Sequence, residues 1–313
     1  MFDVDDMTIY VLAGPTAVGK TELSLQCAER LNAEILSCDP ALFYYGMNIG
    51  TAKPTLCQQA RIRHHAIDLA PINRPLNIKD YIQEAARVVQ EIHERGKNVL
   101  VTGGSGFYLK SFYGPVVDNV PGDKAIRRSI EDMLVTRGLH RLVDYLDKLN
   151  PGGVGDIDLK NPRRVTRALE RCLVSGKTII ELEEIFRSQD FPLKSYKKKT
   201  CVLFRDFQSL QDRIYRRTKM MVNDGLVAEV ESLRSSGIEN NLSASSAIGY
   251  RETLAYLLDS KVSLSALISS ITLNTCRLVK KQYKWLRRID VSSKWVQLKD
   301  PHSDLQRLLT IWD

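Results

Sequence analysis

The sequence predicts an α/β fold, in which helices flank a parallel sheet and a helical subdomain is inserted into the chain. Three apolar runs have the length and composition of buried strands, at residues 9–13, 34–38 and 98–102. Two segments with apolar residues at helical spacing separate them, at residues 22–31 and 77–95. This β-α-β-α-β order is typical of parallel strands with helices on both faces of the sheet.

The chain changes character between residues 115 and 199. Prolines punctuate this part, and helical segments without intervening strands are predicted at 123–137, 139–149 and 162–174. An apolar run at 200–205 then resumes the strand pattern. We therefore predict a core domain of residues 1–114 plus 200–313, which includes C-terminal helices, and an inserted helical subdomain of residues 115–199.

The first predicted strand leads directly into Gly14-Pro15-Thr16-Ala17-Val18-Gly19-Lys20-Thr21. This segment matches the phosphate-binding loop G-x-x-x-x-G-K-[ST], between the strand and the helix that such a loop requires. Backbone N–H groups and the helix dipole favour bound phosphate. Lys20 adds a positive charge, and the Thr21 hydroxyl suits a magnesium ion. The sequence thus predicts a P-loop NTPase-like parallel sheet core, although the loop does not identify its phosphorylated ligand.

Asp39 stands at the end of the second predicted strand. Ligands of open α/β sheets bind at the carboxyl ends of the strands, so we expect Asp39 to face the same crevice as the loop. Asp39 followed by Pro40 also has the pattern of a helix N-cap. Position alone leaves both roles open.

The third predicted strand ends in Gly103-Gly104-Ser105-Gly106. Backbone N–H groups and the Ser105 hydroxyl are therefore expected at the crevice as well. ATP-hydrolysing enzymes with a phosphate-binding loop usually carry an acidic residue at such a strand end, and this strand has none. The absence disfavours a motor-type NTPase and leaves a small-molecule kinase as an alternative.

The composition is that of a globular protein with a basic charge balance. The 313 residues include 45 Lys and Arg against 37 Asp and Glu, a net charge of +8, which favours a polyanionic partner. The cysteines form no Cys-x-x-Cys pair and suggest neither a zinc site nor a disulfide framework, which fits a reducing compartment. Residues 1–7 lack the apolar segment of a signal peptide, and no apolar run reaches membrane-spanning length. We therefore predict a cytoplasmic protein that does not bind a membrane.

Basic residues recur at helical spacing in three predicted helices. One long helix is predicted from Gln208 through Val230. The stripes are Arg163, Arg164, Arg167 and Arg171 in the insertion, Arg213 and Arg217 in this long helix, and Arg277, Lys281, Lys284 and Arg288 in the helix at 265–288. Arg213 and Arg217 lie four positions apart, as a clamp on a doubly charged group requires. The other stripes are either solvated faces, which are commoner, or surfaces that bind nucleic acid phosphates.

Short blocks in a fixed order also carry a resemblance to a known family. They are GPTAVGKT at 14–21, SCD at 37–39, Y-x-G-M-x-I-G-T-A-K-P at 44–54, HH-x-I-D at 64–68, GG-S-G-x-Y-L at 103–109, RR-V-x-RALE at 163–170, R-I-x-x-R at 213–217, IGYRE at 248–252 and KKQ-x-x-W at 280–285. In these blocks the chain resembles the tRNA dimethylallyltransferases (tRNA isopentenyltransferase family) of bacterial type over nearly its whole length. It departs from the family pattern at Pro40, Tyr45, Asn161-Pro162 and Cys276, none of which removes a charged catalytic group.

The resemblance implies a reaction and the residues that perform it. The family transfers a dimethylallyl group from dimethylallyl diphosphate to N6 of the adenosine 3′ of the tRNA anticodon (tRNA position 37). The loop at 14–21 would then bind the diphosphate with Mg²⁺, and Asp39 would be the general base. Ser105, where the family usually has threonine, would keep a hydrogen bond to the base or to Asp39. Arg217 would neutralise the leaving diphosphate.

The resemblance also implies a surface for the tRNA anticodon stem-loop. The residues expected there are Asp39, Pro40, Ala41, Leu42, Ser105, Arg127, Arg163, Arg164, Arg167 and Lys281. The adenosine would have to leave its stack to react. The protein is expected to act as a monomer. Besides the kinase, the alternative is an RNA-binding paralogue that has lost activity.

Overall fold

The chain divides into two compact units in the computed structural model, which describes residues 8–259, 261–290, 292–299 and 301–312. The core unit comprises Met1–Gly114 and Pro192–Asp313, and the inserted unit comprises Pro115–Phe191. Residues 192–199, which the sequence analysis assigns to the insertion, group with the core unit. The reason is that the strand predicted at 200–205 already begins at Lys197. Residues 1–7, for which the sequence predicts no signal peptide, lie outside the described residues.

A parallel sheet forms the centre of the core unit. Its strands are β1 (Thr8–Ala13), β2 (Ala33–Cys38), β3 (His64–His65), β4 (Asn98–Gly103), β5 (Lys197–Phe204) and β6 (Lys294–Gln297). Within the described residues their order is β3-β2-β4-β1-β5-β6, and every pairing is parallel. Most residues of β1, β2 and β4 are apolar and buried because helices cover both sheet faces. The predicted α/β class is confirmed.

The register of the sheet brings three strand ends to one level. Ala13 of β1 pairs with Gly103 of β4, and Gly103 also pairs with Cys38 of β2. The residues that follow these strands are therefore neighbours at the carboxyl edge of the sheet. This edge carries the predicted site.

Between residues 8 and 114, four α-helices precede the insertion: α1 (Lys20–Arg30), α2 (Leu56–Arg61), α3 (Ile78–Glu94) and α4 (Gly106–Lys110). Helix α3 matches the segment predicted at 77–95. Asn77 caps it by accepting N–H groups of Lys79 and Asp80. The buried side of α3 includes Tyr81 and Val88, so its apolar period reflects packing against the sheet.

The inserted unit is helical: α5 (Lys124–Leu149), α6 (Pro162–Ser175) and α7 (Ile179–Ser188). Helix α5 is interrupted at Gly138, whose φ is 77°, which is where the sequence separates two predicted helices. Leu142 and Leu146 of α5 pack with Val165 and Leu169 of α6 in the core of this unit. The short helix α7 was not predicted, although Thr178 and Glu181 form a capping box at its start.

In the described part of the chain, six α-helices follow the insertion: α8 (Phe207–Asn223), α9 (Leu226–Ser235), α10 (Leu242–Ser245), α11 (Tyr250–Leu258), α12 (Leu264–Leu286) and α13 (Pro301–Trp312). The sequence interpretation of one long helix from Gln208 is wrong, because Gly225 adopts a φ of 102° between α8 and α9. Strand β6 and helix α13 were not predicted. Within the described residues, no helix has the length and apolar character needed to span a bilayer.

Candidate active site

The phosphate-binding loop connects β1 to α1 and curls through two left-handed residues. Ala17 has a φ of 63°, and Gly19, at the N-cap of α1, has a φ of 114°. A glycine is needed at position 19 because side chains strain such a backbone. The Gly14 N–H donates to the carbonyl of Gly103 at 3.2 Å, which joins the loop to the end of β4. The loop is thus fixed to the sheet edge.

Three arginines surround this loop from the part of the chain that follows the insertion. Arg205 Nε donates to the Val18 carbonyl at 2.8 Å, and Arg213 Nε donates to the Ala17 carbonyl at 2.7 Å. Arg217 donates to the Thr51 carbonyl at 3.2 Å. These contacts aim three permanent positive charges at the region where a phosphate would bind. The predicted pairing of Arg213 and Arg217 on one helix face is observed.

Lys20 belongs to the same group of cations. Its Nζ donates to the carbonyls of Gly14 and Pro15, each at 2.8 Å. Burial lowers the pKa of Lys20 to about 8; the nearby Asp39 carboxylate opposes this shift, and Arg217 adds to it. Burial also lowers the pKa of Arg217 from its ordinary value, and Asp39 again opposes the shift. A bound anion would compensate both buried charges.

This pKa leads to a prediction about binding of inorganic diphosphate. Affinity should fall as the pH rises through about 8, because Lys20 then loses the proton on which its attraction to the anion depends. Calorimetric titrations between about pH 7 and about pH 9.5 measure the effect. Diphosphate itself titrates in this range, so Lys20→Arg is the matched control, since arginine stays charged throughout. The same pH dependence in both proteins would contradict the prediction.

Two adjoining cavities open at this edge of the core unit. The first, of about 480 Å³, is lined by the phosphate-binding loop with Arg213, Arg216 and Arg217. The second, of about 590 Å³, has a wall of Phe107, Ile214, Tyr250, Leu278 and Trp285. Four residues line both cavities: Thr16, Asp39, Thr51 and Arg217. A cationic cavity and a more apolar one therefore meet at a boundary that contains the Asp39 carboxylate and the Arg217 guanidinium.

Asp39 combines the two roles that its sequence position leaves open. Its Oδ1 accepts the N–H of Ala41 at 3.1 Å and caps the 3₁₀ turn Pro40–Phe43. It also lines both cavities. One carboxylate oxygen is thus held by the backbone at a defined place on the shared boundary. Ser105 also lines the second cavity, at the start of α4, and its hydroxyl makes no capping hydrogen bond.

Most predicted site residues of the core unit meet around these cavities. The second cavity is lined by Thr16, Asp39, Pro40, Ala41, Ser105, Arg217 and Lys281. Leu42 lines the first cavity but is only 9% exposed, so little of it is available to an RNA. The roles of these residues stay predictions.

The predicted RNA-binding arginines of the inserted unit fall into two pairs. Arg163 and Arg164 are exposed on α6. Arg127 and Arg167 instead donate to the buried carboxylate of Glu170, at 2.7 and 2.9 Å. Burial acts to raise the pKa of Glu170, but these hydrogen bonds outweigh it and hold the pKa below its ordinary value. Arg127 and Arg167 are therefore part of the framework of this unit.

Glu229 is a residue of the site that sequence reasoning missed. Its carboxylate accepts the N–H groups of Asn48, Ile49 and Gly50, at 3.0, 2.7 and 3.2 Å. It also accepts the Tyr250 hydroxyl at 2.7 Å. This fixes the segment 44–54 and so the Thr51 carbonyl that Arg217 contacts. No local pattern marks Glu229. Arg205, which was also missed, is the last residue of the strand predicted at 200–205.

The oxygen donors at the first cavity fit a magnesium ion. Thr21, Ser37 and Asp39 line it, and Mg²⁺ prefers such oxygen ligands together with water and substrate phosphates. In the described part of the chain no cluster of three or more His, Cys, Asp or Glu residues could hold a metal. These side chains would therefore bind Mg²⁺ through the Thr21 hydroxyl, and oxygen atoms of a bound ligand would complete its coordination.

Comparison with known proteins agrees with this architecture. The family model described as IPP transferase matches residues 42–289. A tRNA dimethylallyltransferase of Opitutus terrae is 47% identical over 283 residues, which cover 90% of this chain and 91% of the relative. One of Geobacter sulfurreducens is 35% identical over 289 residues, covering 92% and 91%.

Solved structures agree as well. A tRNA isopentenylpyrophosphate transferase of Bacillus halodurans has a TM-score of 0.71 at 31% identity, covering 98% of this chain and 96% of that one. A eukaryotic dimethylallyltransferase acting on tRNA has a TM-score of 0.78 at 25% identity, covering 94% and 75%. With a family model over residues 42–289 and relatives aligned along nearly their full lengths, the chain belongs to the IPP transferase family.

Proposed function

We propose that this protein transfers a dimethylallyl group from dimethylallyl diphosphate to N6 of the adenosine on the 3′ side of the tRNA anticodon, and releases diphosphate. The observation that carries the proposal is the pair of cavities that share Asp39 and Arg217. One cavity suits an anion and the other suits a flat, largely apolar group. The names of the relatives, tRNA dimethylallyltransferases, supply the two substrates.

The donor binds by its diphosphate in the cationic cavity. Loop N–H groups, Lys20, Arg213 and Arg217 offset the negative charge that grows on the diphosphate as the allylic C–O bond breaks. These groups are fixed before the reaction by hydrogen bonds to the backbone of the loop and of Thr51. Their reorganisation during bond cleavage therefore costs little. Magnesium, held by the Thr21 hydroxyl, would add further charge neutralisation at the diphosphate.

The acceptor adenosine enters the second cavity after leaving the anticodon-loop stack. Its N6 amine is a weak nucleophile and must lose a proton as the new C–N bond forms. Asp39 accepts that proton, because its carboxylate lies where the two cavities meet. Ser105, which lines the same cavity, is available to hydrogen-bond the adenine. Aromatic and aliphatic residues of the wall, such as Tyr250 and Trp285, exclude water that would hydrolyse the allylic carbon.

The tRNA stem-loop is gripped through its phosphates by basic side chains, with Arg163 and Arg164 as the exposed pair of the inserted unit. Replacing both by alanine should reduce the steepness with which tRNA affinity falls with salt, by about one to two units of the log–log slope. Fluorescence titrations over a series of salt concentrations measure that slope. Alanine at Arg141 and Lys148, two other exposed cations of this unit, is the matched control. An unchanged slope would assign Arg163 and Arg164 to a merely solvated face.

The reaction is tested with labelled dimethylallyl diphosphate and an anticodon stem-loop that carries consecutive adenosines. We expect label in the RNA and, by mass spectrometry of the nucleosides, an N6-dimethylallyl adenosine. Phosphate transfer from ATP to a small acceptor, without label in RNA, would favour the kinase instead. Tight tRNA binding with no modified nucleoside would favour an inactive RNA-binding protein.

We also propose that the protein acts as a monomer in the cytoplasm. The phosphate-binding loop, Asp39, Arg217 and the apolar wall all belong to the core unit of the chain. Sedimentation of the protein with tRNA checks this, since one chain per tRNA is expected. A stable dimer in that experiment would overturn the monomer.

A further inference from the structure

The side chain of Gln282, on helix α12, bridges two loops at the sheet edge. Its Oε1 accepts the N–H of Thr16 at 3.0 Å, and its Nε2 donates to the carbonyl of Gly104 at 3.1 Å. Thr16 belongs to the phosphate-binding loop. Gly104 immediately precedes Ser105. One amide therefore connects the loop on the donor side to the loop on the acceptor side.

The packing of α12 against the second loop is close. A Cβ atom at Gly104 would lie 2.6 Å from Gln282 Nε2 and 2.7 Å from the Gly14 carbonyl oxygen. One at Gly106 would lie 2.6 Å from Cβ of Trp285, one turn along the same face of α12. A side chain at either position would collide with α12 or with the phosphate-binding loop, so this close approach requires glycine. Gln282 bridges the two loops beside this contact.

The chemistry of the bridge requires an amide. The Thr16 N–H needs an acceptor and the Gly104 carbonyl needs a donor, and a glutamine side chain supplies both without adding a charge. A carboxylate would supply only acceptors, and an ammonium group only donors. An apolar side chain of the same length would leave both backbone groups without these partners.

We infer that Gln282 is a positioning residue for the transfer reaction. It fixes the distance between the diphosphate-binding loop and the loop that carries Ser105. The allylic carbon of the donor and N6 of the acceptor adenosine are thereby held at a reactive distance. It acts through Thr16 and Gly104 and not on the reacting atoms. This inference rests on the proposed function, because it assigns the two loops to the two substrates.

The first test compares Gln282→Met with wild type. Methionine has a similar length and makes neither hydrogen bond, so kcat should fall by about 10–100-fold, as small misplacements of reacting groups cost that much. KM for both substrates should change by only a few fold. Gln90→Met is the matched control, since Gln90 lies exposed on α3 and bonds only to Glu94, at 2.9 Å. A Gln282→Met enzyme with the kcat of wild type would overturn the inference.

The second test uses Gln282→Glu, whose behaviour should depend on pH. The ionised carboxylate accepts from Thr16 but repels the Gly104 carbonyl, whereas the protonated acid donates to it and restores the bridge. The ratio of kcat for this variant to kcat for wild type should therefore rise as the pH is lowered. The corresponding ratio for Gln282→Met should stay constant. A purely structural role for the side chain predicts no such difference between the two variants.

Hydrogen–deuterium exchange separates this inference from the proposed function. Peptides that cover residues 14–21 and 103–106 should exchange faster in Gln282→Met than in wild type, whatever reaction the protein performs. If Gln282→Met exchanges faster than wild type but the wild-type protein transfers no prenyl group, the bridging role of Gln282 stands and the proposed function is wrong. If Gln282→Met exchanges at the wild-type rate and the wild-type protein transfers the prenyl group, the bridging role of Gln282 is wrong and the proposed function stands.

Discussion

Replacing Asp39 by alanine is expected to slow prenyl transfer by about 10²–10⁴-fold while tRNA affinity stays nearly unchanged. The carboxylate lies on the boundary of the two cavities, close enough to oppose the burial-driven pKa shifts of Lys20 and Arg217. It is therefore placed to take the N6 proton as the allylic carbon is attacked. Single-turnover rates with saturating tRNA report the chemical step, and filter binding reports the affinity.

Asp39→Asn separates catalysis from the structural role of the same side chain. Alanine also removes the cap on the Ala41 N–H, at a cost of about 0.5–2 kcal/mol. Asparagine keeps an oxygen for that N–H but is not a base. We expect the asparagine variant to melt near the wild-type temperature and to be nearly as slow as the alanine variant. If asparagine restored the rate, or if either variant mainly weakened tRNA binding, the general-base role would be wrong.

Replacing Arg217 by methionine should lower kcat by about 10²–10³-fold, the usual effect of removing one fixed group that stabilises developing charge. Arg217 lines both cavities and is held through the Thr51 carbonyl, so we expect its guanidinium to contact the leaving diphosphate. Lysine at this position keeps the charge but loses the planar fork, so Arg217→Lys should recover only part of the rate. Steady-state kinetics with dimethylallyl diphosphate and tRNA measure both variants.

Lys219→Met is the matched control for Arg217. It removes a positive charge two residues away on the same helix, at an exposed position outside both cavities. Its kcat should equal that of wild type. If Lys219→Met and Arg217→Met lowered kcat equally, the loss would reflect the net charge of helix α8, and Arg217 would have no specific role at the leaving group.

The elements that the sequence predicts well are those whose environment is uniform. Strands β1 and β4 are buried on both faces, so their apolar runs mark them without reference to the rest of the chain. The phosphate-binding loop is equally local, because its glycines and Lys20 act within eight consecutive positions, 14–21. Asp39 and Ser105 followed from the rule that ligands bind at strand ends.

The elements that escaped prediction depend on partners far along the chain. Strand β6 is four residues long and is defined by pairing with β5. Glu229 bonds to backbone groups more than a hundred residues away, and no local pattern marks it. Gln282 also bonds to the distant Thr16, and its family block at 280–285 does not indicate that partner. Helix α13 packs Trp312 against Tyr10, with ring centroids 5.5 Å apart. Such contacts are tertiary, so neither spacing nor propensity encodes them.

The backbone contacts of the phosphate-binding loop have a consequence for synthesis of the chain on the ribosome. The loop is translated within the first 21 residues, but its supports come later: Arg205 on the Val18 carbonyl, Arg213 on that of Ala17, and Gln282 on the Thr16 N–H. The inserted unit, a contiguous stretch of chain, emerges before any of these supports. The loop therefore has all three of these contacts only after α12 has left the ribosome.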